Sequence, residues 1–521
     1  MSLAGILSIV ADDPRLSRAF ETGAAPADRS GAAALEGTDL IAPPALRPVL
    51  TAAITAGLGR FVLAVTATAR EAEDLTAALG SFLPESSVAC FPGWETLPHE
   101  RLSPRSDTVG QRIAVLRRLA HPDTADDAAG PLSVVVAPVR CLLQPIVAGL
   151  GDLEPVRLRA GDTCDPDELL TRLVEIGYAR DDLVGRRGDV AVRGGIIDVF
   201  SPTDEHPVRI EFFGDTVEEI RYFKIADQRS LGEAPHGLWA PPCRELLLTP
   251  AVRDRAKDLA AEYPGLSEVL GKLADGIAVE GMEAFAPVLA DRMDLLTDCL
   301  PADGILVACD PERIRARAEE LVSTSREFLN ASWVNAAAGG HAPIDLGAAA
   351  FQPIARVREA ARARQLPWWT IEPFGATVDD ADGSEDPGRS SFKIEATPAR
   401  SYRGAADGMI ADIRGWLSDG WRVVLVTEGH GPAQRLTEML RGEGLGARRE
   451  ELEAPPEPAV PYVTTGLLEH GFTWPSVKLA VLTENDLAGQ SGSRSSTKDM
   501  RRMPSRRRRF RSLPSQAGIR K

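Results

Sequence analysis

The sequence predicts a multidomain α/β protein that carries an inserted α+β domain. The chain has 521 residues and is 44% apolar, which is enough for about three or four domains with their own cores. Residues 61–137 alternate short apolar runs with helical stretches, a pattern typical of a parallel sheet. Residues 189–225 instead hold strand-like runs in quick succession, which indicates antiparallel strands.

The parallel sheet is expected within residues 1–154. Its predicted strands are Phe61–Val65, Ser87–Phe91 and Leu132–Ala137, and its predicted helices are Ala69–Leu79 and Gln111–Leu119. Residues 241–370 are again mixed, and Gly304–Cys309 is a further buried strand in that stretch.

The insertion spans residues 155–240 and starts with a helix. Asp165 and Pro166 are typical of a helix N-terminus, and Gly177 of a helix end. The strands predicted after it are Asp189–Arg193, Gly195–Phe200, Val208–Phe213 and Val217–Ile225. A turn at Gly214 joins the last two as a hairpin, so this segment is expected to be α+β.

Three further segments complete the chain. Residues 371–391 are rich in Asp, Gly and Ser and predict a linker. Residues 392–489 predict a small α/β domain with strands Trp421–Thr427 and Val477–Thr483 and helices Met409–Leu417 and Ala433–Arg441. Residues 490–521 are rich in Ser and Arg and predict a disordered tail.

Charge is unevenly distributed along the chain. The total is −16, but residues 491–521 hold eleven basic residues and one acid, a net +10, so residues 1–490 carry −26. An acidic body does not indicate a large DNA-binding surface. The basic tail is a weak, unspecific nucleic-acid-binding candidate. Its central residues are Arg506, Arg507, Arg508 and Arg509.

We expect neither a metal site nor a membrane-spanning segment. The six cysteines show no C-x-x-C spacing and the seven histidines no H-E-x-x-H arrangement, so no metal site is predicted. The N-terminus lacks the charged start of a signal peptide, and no run of about 18 apolar residues occurs. Scattered cysteines are typical of a reducing compartment, and we expect a cytoplasmic protein without membrane contact.

Phosphate-binding loops are missing where α/β folds carry them. After the first predicted strand, residues 66–71 contain neither Gly nor Lys, and Glu71 would repel a phosphate. Gly429 and Gly431 follow a later strand, but Gln434 stands where a dinucleotide motif needs a third glycine. We expect no cofactor and no catalytic residue, and therefore no enzymatic activity in this chain.

One strand of the insertion has an unusual polar face. Side chains alternate along a strand, so Arg209, Glu211 and Phe213 share the face opposite the apolar positions of residues 208–213. An aromatic beside an arginine on such a face is typical of an interface hot spot. The other interpretation is an ordinary solvated strand with a partly covered Phe.

Other arginines lie close to this strand in the sequence. Arg193 ends an earlier strand just before two glycines, and Arg180 lies on the approach to it. We therefore include Arg193 and Arg180 with Arg209, Glu211 and Phe213 as candidate partner-binding residues.

The insertion contains five ordered motifs, Tyr178–Asp182, Arg186–Gly188, Val192–Gly194, Ile197–Phe200 and Arg209–Asp215. They closely resemble the UvrA-binding domain of the excision-repair protein UvrB. Other motifs are Phe91–Pro98, Arg101–Pro104, Glu469–Phe472 and Leu482–Leu487. These resemble the transcription-repair coupling factors (Mfd), whose N-terminal part is a degenerate copy of UvrB. The resemblance covers about residues 1–505.

The resemblance implies a function. Residues 1–154 and 241–370 would form one degenerate P-loop-like domain that has lost ATP binding. The insertion would bind UvrA, with Arg193, Arg209 and Phe213 at the family's UvrA-contacting positions. The chain would thus recruit nucleotide excision repair to stalled RNA polymerase.

The chain departs from the family pattern at its C-terminal end. Members continue into an RNA-polymerase-binding domain and two ATP-dependent motor domains that act on DNA, and neither follows here. We expect a chain truncated before these domains, as a fragment or a frameshifted product. Two alternatives stay open: the ATP-dependent helicase or translocase activity of the full-length family, and unspecific DNA binding through the basic tail.

Overall fold

The computed structural model describes residues 2–24, 37–97, 102–123, 130–337, 350–374 and 390–488. Most of the predicted linker and the whole of the predicted basic tail, including Arg506–Arg509, lie outside the described residues.

Helices and strands occur throughout the described ranges. The helices are α1 (Ala4–Ala11), α2 (Pro14–Ala24), α3 (Arg47–Leu58), α4 (Ala69–Leu79), α5 (Ser106–Ala120), α6 (Val139–Leu143), α7 (Pro166–Glu175), α8 (Pro250–Glu262), α9 (Ser267–Ala274), α10 (Ala286–Leu289), α11 (Pro311–Ala337), α12 (Ile354–Ala363), α13 (Ala406–Ser418), α14 (His430–Gly442) and α15 (Glu484–Ala488). The strands are β1 (Thr38–Ile41), β2 (Val62–Thr66), β3 (Val88–Cys90), β4 (Val134–Pro138), β5 (Ile146–Val147), β6 (Val156–Leu158), β7 (Ala179–Arg180), β8 (Asp189–Arg193), β9 (Ile196–Val199), β10 (Val208–Phe213), β11 (Thr216–Phe223), β12 (Ser230–Glu233), β13 (Leu238–Ala240), β14 (Met293–Asp294), β15 (Ile305–Cys309), β16 (Trp368–Glu372), β17 (Ser390–Lys393), β18 (Thr397–Pro398), β19 (Arg422–Thr427), β20 (Arg448–Arg449), β21 (Pro461–Thr465), β22 (Phe472–Trp474) and β23 (Leu479–Thr483).

The first large sheet is parallel and buried on both faces. Its strand order is β17-β1-β16-β15-β2-β4-β3, and every neighbouring pair is parallel. In β2, Val62 and Ala64 belong to one hydrophobic cluster, whereas Leu63 and Val65 belong to another. This confirms the predicted α/β class, because apolar runs without alternation suit strands covered on both sides.

The last sheet shares a core with the first part of the chain. Its order is β18-β22-β23-β19-β21-β20. Val424 and Val426 of β19 lie in the same cluster as Leu3 and Ile6 of the N-terminal segment. At Gly5, a Cβ atom would lie 2.1 Å from the carbonyl oxygen of Ala454, so glycine permits this close approach. The core therefore crosses the segment in which the sequence predicts a linker.

A buried carboxylate joins the same two parts. Asp13 accepts hydrogen bonds from the indole Nε1 of Trp474, at 3.0 Å, and from the hydroxyl of Ser476. It also accepts from the backbone N–H groups of Arg15 and Leu16 at the start of α2. One side chain thus caps a helix and holds the last sheet.

The inserted segment forms a separate layer structure. The antiparallel pair β6 and β13 is its stem, and a six-stranded sheet follows in the order β12-β11-β10-β9-β8-β7. Helix α7, capped by Asp165 as predicted, covers one face of this sheet with Leu169 and Leu173. The predicted α+β character of the insertion is confirmed.

Candidate functional site

The open face of the six-stranded sheet brings together four of the five candidate residues. In the strand register Arg209 lies opposite Asp198, Glu211 lies opposite Ile196, and Ile196 lies opposite Arg193. Paired residues project on the same side of a sheet, so Arg193, Arg209, Glu211 and Phe213 share one face.

The fifth candidate residue lies elsewhere. Arg180 is paired with Val190 on the edge strand β7, and Val190 belongs to the core beneath α7. Arg180 is exposed, but by register it belongs to the opposite side of the sheet from Arg193. The structure therefore separates Arg180 from the other four residues.

A small apolar cluster lies on part of the open face. Val184, Ala191, Phe200 and Phe223 form this cluster. The guanidinium carbon of Arg209 lies 4.7 Å from the ring centroid of Phe223, a cation–π distance. Arg209 thus contacts this cluster, whereas Arg193, Glu211 and Phe213 are not members of it.

One buried aspartate holds two of the candidate arginines. Asp198 is 1% exposed and accepts a hydrogen bond from Nη2 of Arg193 at 2.6 Å. It also accepts from Nε and Nη2 of Arg209 at 2.8 and 2.9 Å. A buried carboxylate needs such partners because burying an unpaired charge is costly.

The guanidinium of Arg209 has contacts in addition to those with Asp198. Its guanidinium also approaches the backbone oxygen and the side-chain oxygen of Gln228, each at 3.5 Å. The hydrogen bond to Asp198 is the main cause that raises the pKa of Arg209, against the burial that lowers it. Arg209 thus stays charged and is held in place.

Phe213 is the most exposed candidate, with 79% of its surface accessible. It ends β10 beside the tight turn at Gly214, whose φ is +61°. The register between β10 and β11 shifts between Glu211 and Phe212, and this bulge lets Val217 and Ile220 both face the core. The exposure of Phe213 favours the interface interpretation over a partly covered ring.

The loop after β2 is closed by a capping box. The Thr68 hydroxyl accepts from the Glu71 backbone N–H, and the Glu71 carboxylate accepts from the Thr68 backbone N–H. Arg313 forms an ion pair with the same carboxylate. A side-chain carboxylate therefore occupies the helix N-terminus at which a phosphate would bind in a nucleotide site.

Comparisons with known proteins identify the inserted segment. Residues 156–241 match the UvrB interaction domain family. This segment is similar to the UvrB interaction domain family, and we refer to it below as the UvrB interaction domain. The candidate face described above lies within the matched residues, and the resemblance drawn from the sequence is confirmed.

The chain as a whole is similar to transcription-repair-coupling factors. It is 46% identical to that of Mycobacterium tuberculosis over 486 residues, which cover 90% of this chain and 38% of the relative. It is 26% identical to that of Bacillus subtilis over 463 residues, 85% of this chain and 37% of the relative. The chain thus spans about two fifths of the length of these relatives.

Sequence reasoning missed the residue that organises the site. Asp198 lies in a quoted motif but was not predicted to bind two arginines from different strands. A single acid within the apolar run of β9 is a signal that could have drawn attention to it, because an isolated buried acid requires a cationic partner.

The described ranges contain no candidate membrane span or metal cluster. There, no helix is both long and apolar enough to span a membrane. Nor do three or more His, Cys, Asp or Glu side chains of those residues cluster in a way that could hold a metal ion.

Proposed function

We propose that this chain binds UvrA through the open face of its UvrB interaction domain. The observation that carries the proposal is the exposed ring of Phe213 on the same sheet face as an arginine pair that is fixed by Asp198. Exposed aromatic and arginine side chains on a rigid support are typical hot-spot residues. The resemblance to UvrB supplies the identity of the partner.

The wider role follows from the relatives. The relatives are named transcription-repair-coupling factors. This name supports a role for the chain in recruiting nucleotide excision repair to stalled RNA polymerase. We propose contacts with RNA polymerase and DNA for the full-length relatives. We do not assign these contacts to the described residues of this chain. All six cysteines are free, which fits the reducing cytoplasm in which we propose that the protein works.

Phe213→Ala tests the proposed surface most directly. Losing a central aromatic anchor typically costs about 2 kcal/mol of binding free energy, which is roughly thirtyfold in affinity. We expect that loss when binding of purified UvrA is measured by calorimetry, with no change in the melting temperature of the chain.

Phe374→Ala is the matched control for this experiment. Phe374 is 81% exposed, so it equals Phe213 in type and exposure but lies outside the UvrB interaction domain. UvrA should bind the Phe374→Ala variant as it binds the wild type. Equal binding by the Phe213→Ala variant, or no binding by the wild type, would contradict the proposal.

We further propose that the loop after β2 binds no nucleotide. The capping box of Thr68 and Glu71 and the ion pair with Arg313 support this, since the helix N-terminus already carries a carboxylate. Millimolar ATP with magnesium should leave the melting temperature unchanged. ATP turnover by the purified chain would instead favour the translocase alternative.

A further inference from the structure

On the basis of the proposed function, we infer that Asp198 is a positioning residue for UvrA docking, and that Arg193 rather than Arg209 pairs with an acidic group of the partner. The two arginines differ in exposure, in hydrogen bonding and in what surrounds them. Because of these differences, we assign a different role to each arginine.

Arg209 has few N–H donors available for a hydrogen bond to a partner. A guanidinium recognises a carboxylate best through two parallel N–H donors, and Nε and Nη2 of Arg209 already donate to Asp198. Its other donors face Gln228, and its plane lies against Phe223. Only 20% of its side chain is exposed. Arg209 therefore acts as a brace within the sheet.

Arg193 has the opposite character. It lies at the end of β8 with 45% of its side chain exposed. Among the described residues, its guanidinium makes one hydrogen bond, from Nη2 to Asp198. A guanidinium has five N–H donors, so most of those on Arg193 remain available for a carboxylate on the partner.

Asp198 connects the two roles. Because it is buried, it cannot contact the partner, yet it fixes one end of the Arg193 guanidinium and neutralises the charge of Arg209 next to it. Holding a long side chain before binding lowers the entropy lost on association. Without the carboxylate, Arg193 would be mobile and would lie near an uncompensated positive charge.

The inference is tested by a double-mutant cycle on UvrA affinity at two salt concentrations. Arg193→Gln should weaken binding about tenfold and flatten its salt dependence, since a charge pair across the interface is lost. Asp198→Asn should weaken binding several-fold. The double variant should bind like Arg193→Gln alone, because Asp198 acts through Arg193. Losses that multiply in the double variant would overturn the inference.

Arg209→Gln provides a measurement that does not depend on altering Asp198. This variant keeps the pair between Arg193 and Asp198, so we expect a lower melting temperature but the salt dependence of the wild type. If it flattens the salt dependence as much as Arg193→Gln does, Arg209 is the residue that meets the partner and the inference is wrong.

The free chain offers a readout that a general loss of stability would not produce. Rotation of the Arg193 guanidinium, followed by NMR, should be slow in the wild type and fast in Asp198→Asn, while the backbone spectrum stays folded. Equal rotation in both would overturn the positioning role. Failure of the wild type to bind UvrA would overturn the proposed function, whereas normal binding by Asp198→Asn would overturn this inference alone.

Discussion

The two ends of the described chain share one hydrophobic core, whereas the UvrB interaction domain has a core of its own. Leu3 and Val424 lie in the same cluster, although more than 400 residues separate them in the sequence. In contrast, the cluster around Leu173 draws on the inserted segment and residues at its border. Chain order therefore does not predict which segments fold together, and the insertion is the more self-contained unit.

The largest effect is expected when each region is produced alone. Residues 154–243 should fold cooperatively, because their core is internal. Residues 390–488 should not, because one face of β19 packs on residues from the first part of the chain. Circular dichroism during thermal melting would check this. A cooperative transition for the C-terminal fragment would show that it folds without the shared core.

Leu173→Ala should destabilise the UvrB interaction domain by about 3 kcal/mol, because it removes a fully buried side chain from its core. In urea unfolding, the transition of the inserted domain should move to lower urea while that of the rest stays in place. Val174→Ala, on the same helix but 47% exposed, is the control and should change little. A shift of both transitions by Leu173→Ala would show that the two cores are coupled.

Asp13→Ala should destabilise the shared core by about 2 kcal/mol, because a helix cap is lost and the buried indole N–H of Trp474 loses its acceptor. Urea unfolding should show this loss without any change in the transition of the inserted domain. The neighbouring Asp12, which is exposed, provides the control substitution Asp12→Ala. Equal stability of both variants would mean that Asp13 does not link the two parts.

A pH-dependent effect concerns a carboxyl group in the UvrB interaction domain. Burial raises the pKa of Asp204 to about 6, although the charge of Arg187 opposes the shift. The folded domain thus holds this proton more tightly than the unfolded chain, and its stability should fall as pH rises from about 4 through 6.

Asp204→Asn should remove that pH dependence. We expect the variant to be more stable than the wild type by about 2 to 3 kcal/mol at pH 8, the free energy that corresponds to this rise in pKa, and to gain nothing below pH 4. Urea unfolding at both pH values would measure it. A variant less stable at pH 8 would indicate that the charged carboxylate stabilises the fold.

The elements that depend on local patterns were predictable from the sequence. Helix α4 has the predicted bounds because Thr68 and Glu71 form a capping box before an amphipathic run. Strands β8 and β10 also have their predicted bounds, since charged residues flank the apolar run of β8 and polar residues alternate with apolar ones in β10. The exposed face of β10 followed from the same alternation.

Features that depend on distant segments were not predictable. Strands β1, β16 and β17 pair in parallel although they come from three separate parts of the chain, and hydrophobic periodicity does not indicate which strands are neighbours. The site shows the same limit. Asp198 binds Arg193 and Arg209 only because three strands meet in one register, and no local pattern encodes that register.

The stem of the inserted domain has a consequence for protein engineering. Val156 lies opposite Ala240, and Leu158 opposite Leu238, so the chain enters and leaves the domain through neighbouring strands, which lie about 5 Å apart. A domain whose two ends are adjacent can be inserted at a single surface turn of another protein. Residues 156–240 could therefore be transplanted into an unrelated scaffold, where they would carry the Asp198 arginine pair and Phe213 with them.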